Sequence, residues 1–391
     1  MGKFDAKSFN EKNFKYSVEH PKVPNLKTSE MKKSKILKGS QDIKDTFGAS
    51  ESTYYSRIAS KGLLDGQAVN YDGQTDITAT NTKTYERGVI VIGRAKAWTE
   101  KDFSEDISGQ DFMQNIADQV AEYKDGLDQD TILSILKGIF SMSTGAKNKE
   151  FVEKHTTIVK GNMDSTTLNS ATNKACGKNK KKFGMVFMDS DVQTNLENMN
   201  LLKNLVYTDK DGVSRDISLY SWGGKLVIVD DMPKTEGYMD ATADTEGSLK
   251  IVANTATPAA GEIKLEDVTP YLDSRTLKAG DYVVFGTEYT TYALGEDSID
   301  YEDLPMKHPY GASRDEAKNG GEDTLYMRQR KVFAPVGISY ENTTHASLSP
   351  TDAELENGNN WALVNSGETS ETDKSYIDHR AIAICRIISR G

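Results

Sequence analysis

The residues best suited to chemistry are few and scattered. Five histidines stand at His20, His155, His308, His345 and His379. None lies within metal-ligand spacing of another or of a cysteine, so a surface or core-satisfying role is the simpler reading of each. Asp189-Ser190-Asp191 follows an apolar stretch and has the composition to hold a divalent metal on a nucleotide-sugar. The same residues are good helix N-caps, and capping is the favoured reading. Asp230 and Asp231 are neighbours on an extended segment, so they point to opposite faces unless Pro233 bends the chain. Asp209-Lys210-Asp211-Gly212 opens like a calcium loop, but Tyr220 stands where the closing glutamate belongs. A hairpin turn explains those four residues as well. No GxxxxGK[ST], HExxH, GxSxG or strand-linked GxGxxG occurs. Two cysteines, Cys176 and Cys385, make no disulfide framework, which fits a reducing, intracellular context. No catalytic, cofactor-binding or metal-binding residue is therefore assigned, no cofactor is expected, and the absence of a convergent set favours a structural protein over an enzyme.

The elements that would position such residues are more legible than any site. From Ile107 to Phe140, apolar residues at Phe112, Ile116, Val120, Tyr123, Leu127, Leu133, Leu136 and Phe140 recur at helical steps. A helix from Gln110 to Ser141 would be about 48 Å long, a spine across a sheet. Ser108 or Asp111 would cap it, Gly145 would close it, and Gly126 and Gly138 are its weak points. Residues 60–98 read as a long two-stranded excursion, too polar to bury itself. From Asn162 the pattern becomes α/β. It has a short helix over Thr166–Gly177, a strand over Phe183–Met188 running into a capped helix, and a hairpin over Leu205–Leu219. Strands follow over Lys225–Val229, Asp281–Leu294, Leu325–Tyr340 and Tyr376–Ser389, with Pro335 predicting an edge or a bend.

Charge is distributed unevenly. Residues 1–44 carry eleven lysines against five acids, so they hold +6 in a chain whose formal charge is −11, and −17 lies elsewhere. That segment has few aliphatic residues and two prolines, Pro21 and Pro24, and alone it cannot offset its ordering entropy. It reads as an arm that orders on a neighbouring subunit, its lysines near acidic surface. The net negative charge argues against a wrapped nucleic acid as main ligand. No apolar run reaches the roughly 18 residues of a membrane helix, and the first residues have no signal-peptide core.

The order of these parts resembles the major capsid proteins of tailed bacteriophages, from about Ser56 to Arg390. The segment GRAKAWTEKDFSEDISGQDFMQNIADQVAEYKDGLDQDTILSILKGIF is similar to the end of that family's extended loop and its spine helix. TTLNSATNKACGKNKKKFGMVFMDSDVQTNL resembles the opening of its axial domain, and YSWGGKLVIVDDMP its strand with a Gly-Lys entry and an Asp-Asp-X-Pro exit. YVVFGTEYTTYALGE, RKVFAPVGISY and SPTDAELENGNNWALV resemble later strands and closing segments. Related chains often have a histidine before the proline of VFAP; here Ala334 stands there, and nothing about that position carries over.

The resemblance implies an α+β chain of the Hong Kong 97-type capsid fold. Its parts would be an N-terminal arm (1–55), an extended β-hairpin loop (56–100), a peripheral domain with the long spine helix (101–160) and an axial α/β domain (161–295). Peripheral return strands (296–345) and a C-terminal segment returning to the axial domain (346–391) would complete it. It implies a head protein that self-assembles as hexamers and pentamers into an icosahedral shell around double-stranded DNA, without sequence-specific binding and without a membrane. The expected setting is the virion, assembled in the host bacterial cytoplasm. Portal and decoration proteins are implied partners; the short arm does not resemble a cleaved scaffolding segment, so a separate scaffolding protein is expected. An encapsulin-like compartment shares the fold, and a metal-dependent α/β enzyme using Asp189, Asp191 and Asp230 is the alternative from another class.

Overall fold

The structure is a computed structural model. It describes residues 11–19, 36–48, 53–60, 84–101, 116–208, 214–229, 234–269, 277–318, 321–368 and 374–390, with single positions between 68 and 74 and at 370. Along the chain, α1 (Glu11–Glu19), β1 (Leu37–Gly39) and α2 (Gln41–Gly48) precede β2 (Tyr55–Ser60), β3 (Tyr85–Ile90) and β4 (Ile92–Lys101). The long helix α3 (Ile116–Phe140) leads to α4 (Ala146–His155), β5 (Thr156–Ile158) and α5 (Thr167–Cys176). Then come β6 (Phe183–Met188), α6 (Ser190–Asn198), β7 (Leu202–Thr208), β8 (Ser214–Trp222), β9 (Lys225–Val229) and β10 (Thr235–Ala241). After β11 (Leu249–Val252), β12 (Glu262–Lys264) and α7 (Leu265–Val268), the long β13 (Tyr282–Gly295) returns. The remainder is β14 (Ile299–Asp303), β15 (Tyr310–Asp315), β16 (Glu322–Pro335), β17 (Ile338–Tyr340), α8 (Asp352–Glu356), β18 (Trp361–Leu363) and β19 (Ile384–Ser389).

Two sheets carry the architecture. In one, β16 pairs with β14 and β15 along one edge and with β4 along the other, and β1 adds a parallel strand to β14. In the other, the order is β12-β11-β13-β6-β9-β8-β7, with β10 and β19 also on β13 and β5 parallel to β19. The first half of β13 pairs with β10 and its second half with β6 and β19, which is why it runs unbroken for 14 residues. Helix α3 joins the two sheets. Val120 and Ala121 near its start pack on Tyr310, Leu325 and Met327 of the first sheet. Ile132, Ile135, Leu136, Ile139 and Phe140 near its end share a core with Phe187, Leu294, Ile384 and Trp361. At 25 residues it spans about 37 Å, enough to reach both.

Several expectations change. The helix is continuous through Gly126 and Gly138 and ends at Phe140; residues 107–115, with Phe112 and the caps expected at Ser108 and Asp111, lie outside the described residues. Gly145 does not close this helix. It starts α4 with φ 82°, a left-handed value that glycine adopts without a Cβ clash. Gly138 has a packing reason: a Cβ there would stand 2.0 Å from the Leu355 carbonyl oxygen, so its absence lets α8 cross the helix closely. Tyr123, counted in the apolar stripe, is exposed at 37% and packs edge-on to Trp98 instead. Of the edge or bend expected at Pro335 the bend is found: β16 is an inner strand that ends at Pro335 opposite Ile299, and the chain turns at Gly337 before β17. The last strand is shorter than expected because a 3₁₀ turn at His379–Ala381 precedes it. β10 was not predicted at all, since TEGYMDA alternates but holds only two strongly apolar residues.

The arm and the excursion are better anchored than their composition suggests. Ile36, Ile43 and Phe47 are fully buried on their own chain, and Phe14 packs edge-on to Tyr310 at 5.2 Å. Phe4 and Phe9 lie outside the described residues, as do Lys32, Lys33 and Lys35. Lys38 meets Asp297 of its own chain at 3.3 Å. Strands β2 and β3 form the antiparallel root of the excursion, with Val89, Ile90, Val91 and Ile92 all buried. Most of the tip, over residues 61–83, is outside the described residues.

Candidate functional site

Two of the three carboxylates considered for a metal, Asp189 and Asp191, stand at the C-terminal end of β6. Asp189 is buried and caps α6, accepting from the Asp191 backbone N–H at 3.0 Å. That is the capping role expected of Asp189. Asp191 turns outward and accepts from Lys234 Nζ and, at 2.8 Å, from Tyr289 Oη. Lys234 also lies 3.6 Å from Asp189 and 5.3 Å above the Tyr289 ring. The Lys234 hydrogen bond is the main cause that holds the Asp191 carboxyl below its usual range. An ammonium thus occupies the position a metal would take between the two carboxylates. Asp230 and Asp231 lie outside the described residues, as does the 209–213 turn. Among the described residues, no group of three or more histidines, cysteines or acids converges to hold a metal ion.

One constellation was invisible to sequence spacing. His155 is fully buried at the end of α4, and its Nδ1 lies 2.7 Å from the Ile384 carbonyl oxygen. A carbonyl only accepts, so Nδ1 carries the proton and Nε2 presents a lone pair. That lone pair meets His379 Nδ1 at 3.2 Å. Phe151 stacks on the His155 ring at 4.2 Å. Burial is the largest cause that pushes His155 down to about 4, and burial lowers His379 too. Both imidazoles are neutral at pH 7, and they join α4 to the C-terminal segment, with His379 partly exposed at the edge of a cavity of about 360 Å³. The 224 positions between them left no local signal to find.

The other buried charges also hold elements together. Lys331 pairs with Asp128 at 2.5 Å, both within the protein, and burial raises the Asp128 carboxyl despite that partner. Arg87 of β3 pairs with Asp300 of β14. Gly88 N donates to Ser339 Oγ at 2.7 Å, and Tyr55 Oη donates to the Tyr340 carbonyl at 3.3 Å. Arg57 meets Glu341 at 2.8 Å. These contacts fix the root of the excursion to β14 and β17. The cysteines are free and buried; Cys176 donates to the Ile382 carbonyl at 3.1 Å, and burial pushes its thiol up to about 11. A thiol so raised is a poor nucleophile. No helix among the described residues is long and apolar enough to cross a membrane.

No family model matches the chain. It is similar to the major capsid protein of Bacillus phage SPP1, 24% identical over 301 residues, which are 77% of this chain and 76% of that protein. Among solved structures, the capsid of Ralstonia phage GP4 is similar at a TM-score of 0.47 and 10% identity, covering 78% of this chain and 84% of that one. The capsid asymmetric unit of cyanophage Pam1 gives a TM-score of 0.47 at 12% identity, covering 100% of this chain and 96% of that one.

Proposed function

We propose that this chain, a major capsid protein of the tailed-bacteriophage kind, assembles with copies of itself into the closed shell of a phage head. The observation that carries the reading is the match to a phage major capsid protein along three-quarters of both chains. The geometry agrees with it. Lys234 pairs with the Asp189 and Asp191 carboxylates, His155 is buried against His379 in a joint, and the buried ion pair Lys331–Asp128 ties two elements together. Each of these groups has a packing or capping task, which is consistent with a structural role.

The division of labour we propose follows the chain. Residues 1–55 serve as arm, 56–100 as extended loop, and 101–160 with 296–345 as the peripheral part around α3. Residues 161–295 and 346–391 serve as the axial part. Weak contacts suffice in a shell, because each subunit's many contacts act together at high effective concentration. The partners in this reading are hexamer and pentamer neighbours, a separate scaffolding protein, a portal and enclosed DNA. Sedimentation and electron microscopy of the chain expressed with its scaffold test it. Closed particles are the expected result, and a monomer in every condition would overturn the reading.

A further inference from the structure

A run of lysines sits at the entrance to β6. No acidic residue occurs between Asp164 and Asp189, and Lys174, Lys178, Lys180, Lys181 and Lys182 fall inside that stretch. Four of them lie on the 3₁₀ turn Gly177–Lys182. Side chains three apart eclipse in such a turn, so Lys178 and Lys181 stand on one edge. Lys178, Lys181 and Lys182 are exposed, and Lys180 reaches Asn169 Oδ1 at 2.9 Å rather than a carboxylate. The fold adds two cations from elsewhere. Lys225 opens β9, which runs parallel to β6 and so starts at the same end of the sheet. Its ammonium lies below the usual lysine range, mainly through burial and further through Lys180. Arg380 arrives on the C-terminal 3₁₀ turn, whose carbonyl at Arg380 accepts from Asn179 Nδ2 at 3.2 Å. The patch ends at a cavity of about 640 Å³ lined by Lys182, Glu296 and Asp297, where the arm's Lys38 is already paired with Asp297.

Like charges gathered on one turn destabilise it unless a counter-charge arrives from outside. Two sources exist in a shell, a neighbour's carboxylates or enclosed nucleic acid. Some exposed carboxylates of this chain already hold a cation, as Glu150 does with Lys147 and Lys154, Glu356 with Lys137, and Asp352 with Arg94, although the acids outnumber the bases overall. Duplex DNA instead offers a negative charge about every 1.7 Å along its axis. We infer that the lysine turn 178–182, with Lys225 and Arg380, is a sequence-independent contact for the phosphates of double-stranded DNA. This rests on the reading of the chain as a shell around DNA. The acidic remainder keeps the contact weak and confined to one patch, so the DNA is held without being wrapped.

The test uses the full-length chain as unassembled subunits and a fluorescent duplex of mixed sequence, with anisotropy read over a series of salt concentrations. The variant K178Q/K180Q/K181Q/K182Q is compared with K149Q/K250Q/K307Q/K318Q, which removes the same charge from exposed positions elsewhere. The patch variant is expected to lose about tenfold or more in affinity at low salt. Its log–log salt slope should fall by about 3 to 4, since each phosphate neutralised contributes roughly 0.9. The control should stay within about threefold of wild type, because charge far from the contact is screened within a Debye length of roughly 10 Å. Equal losses in the two variants would assign the effect to net charge and overturn the inference. A patch variant that binds DNA like wild type but no longer assembles would assign the lysines to a neighbour's carboxylates and overturn it as well. Particle formation is scored on the same preparations. Wild-type particles without DNA binding by the subunits defeat this inference alone, while DNA binding without particles defeats only the shell reading.

Discussion

At His155, two hydrogen bonds and full burial fix the state of one imidazole. Its folded pKa of about 4 lies below the ordinary 6.5, so the unfolded chain binds the extra proton first as pH falls. Stability is therefore full above about pH 6.5 and is lost progressively down to about pH 4, by about 2–3 kcal/mol from this residue. Denaturant midpoints of the unassembled subunit between pH 7 and pH 5 measure it. His155→Gln should flatten the pH dependence; an unchanged slope would show that His155 is not the titrating group. Glycine offers a second residue-scale comparison within one helix. A Cβ at Gly126 meets nothing within 4 Å, whereas at Gly138 it meets Leu355 O and, at 2.6 Å, Trp361 Nε1. Gly126→Ala should stabilise by roughly 0.5–1 kcal/mol through helix propensity alone. Gly138→Ala should destabilise by about 1–3 kcal/mol through overpacking. Thermal melting of the two variants gives opposite signs if α8 crosses the helix as described.

At the scale of elements, α3 is a beam whose two ends pack on different sheets. Val120 is 2% exposed between Tyr310, Leu325 and Met327, and Val120→Asp would bury an unpaired carboxylate there. The expected outcome is insoluble or unfolded subunits on expression, and normal solubility would place this face in solvent. The same helix is tied to β16 by Lys331 and Asp128. Lys331→Met leaves the Asp128 carboxylate buried without its partner and should cost about 3–5 kcal/mol. Replacing both residues with apolar ones should cost much less, because no charge is then left behind. A double-mutant cycle in urea separates the two cases, and additive effects would mean that the pair is not coupled.

For the whole molecule, the decisive question is which parts fold on their own chain and which need a neighbour. The root of the excursion is locked internally by Arg87–Asp300 and by the β2–β3 pairing. Deleting 66–84 should therefore leave a subunit with wild-type circular dichroism that fails to close shells. Loss of the fold, or normal shells, would each contradict this division. The sequence by itself determined the elements whose signal is local. A helical stripe marked α3, alternation and apolar runs marked β6, β9 and β13, and Asp189 stood at an N-cap. These depend on periodicity and side-chain hydrogen bonding within a few residues, so they survive without knowledge of the rest. It also supplied the resemblance, because the order of elements is itself a sequence property. Only the tertiary structure decided the rest. It set His155 against His379, placed Lys234 between Asp189 and Asp191, and brought Lys225 and Arg380 to the lysine turn. It buried Ile43, Phe47 and Val89 in segments whose composition reads as polar. Those outcomes depend on which distant strands pair, and pairing is fixed by the burial of whole faces rather than by any local pattern.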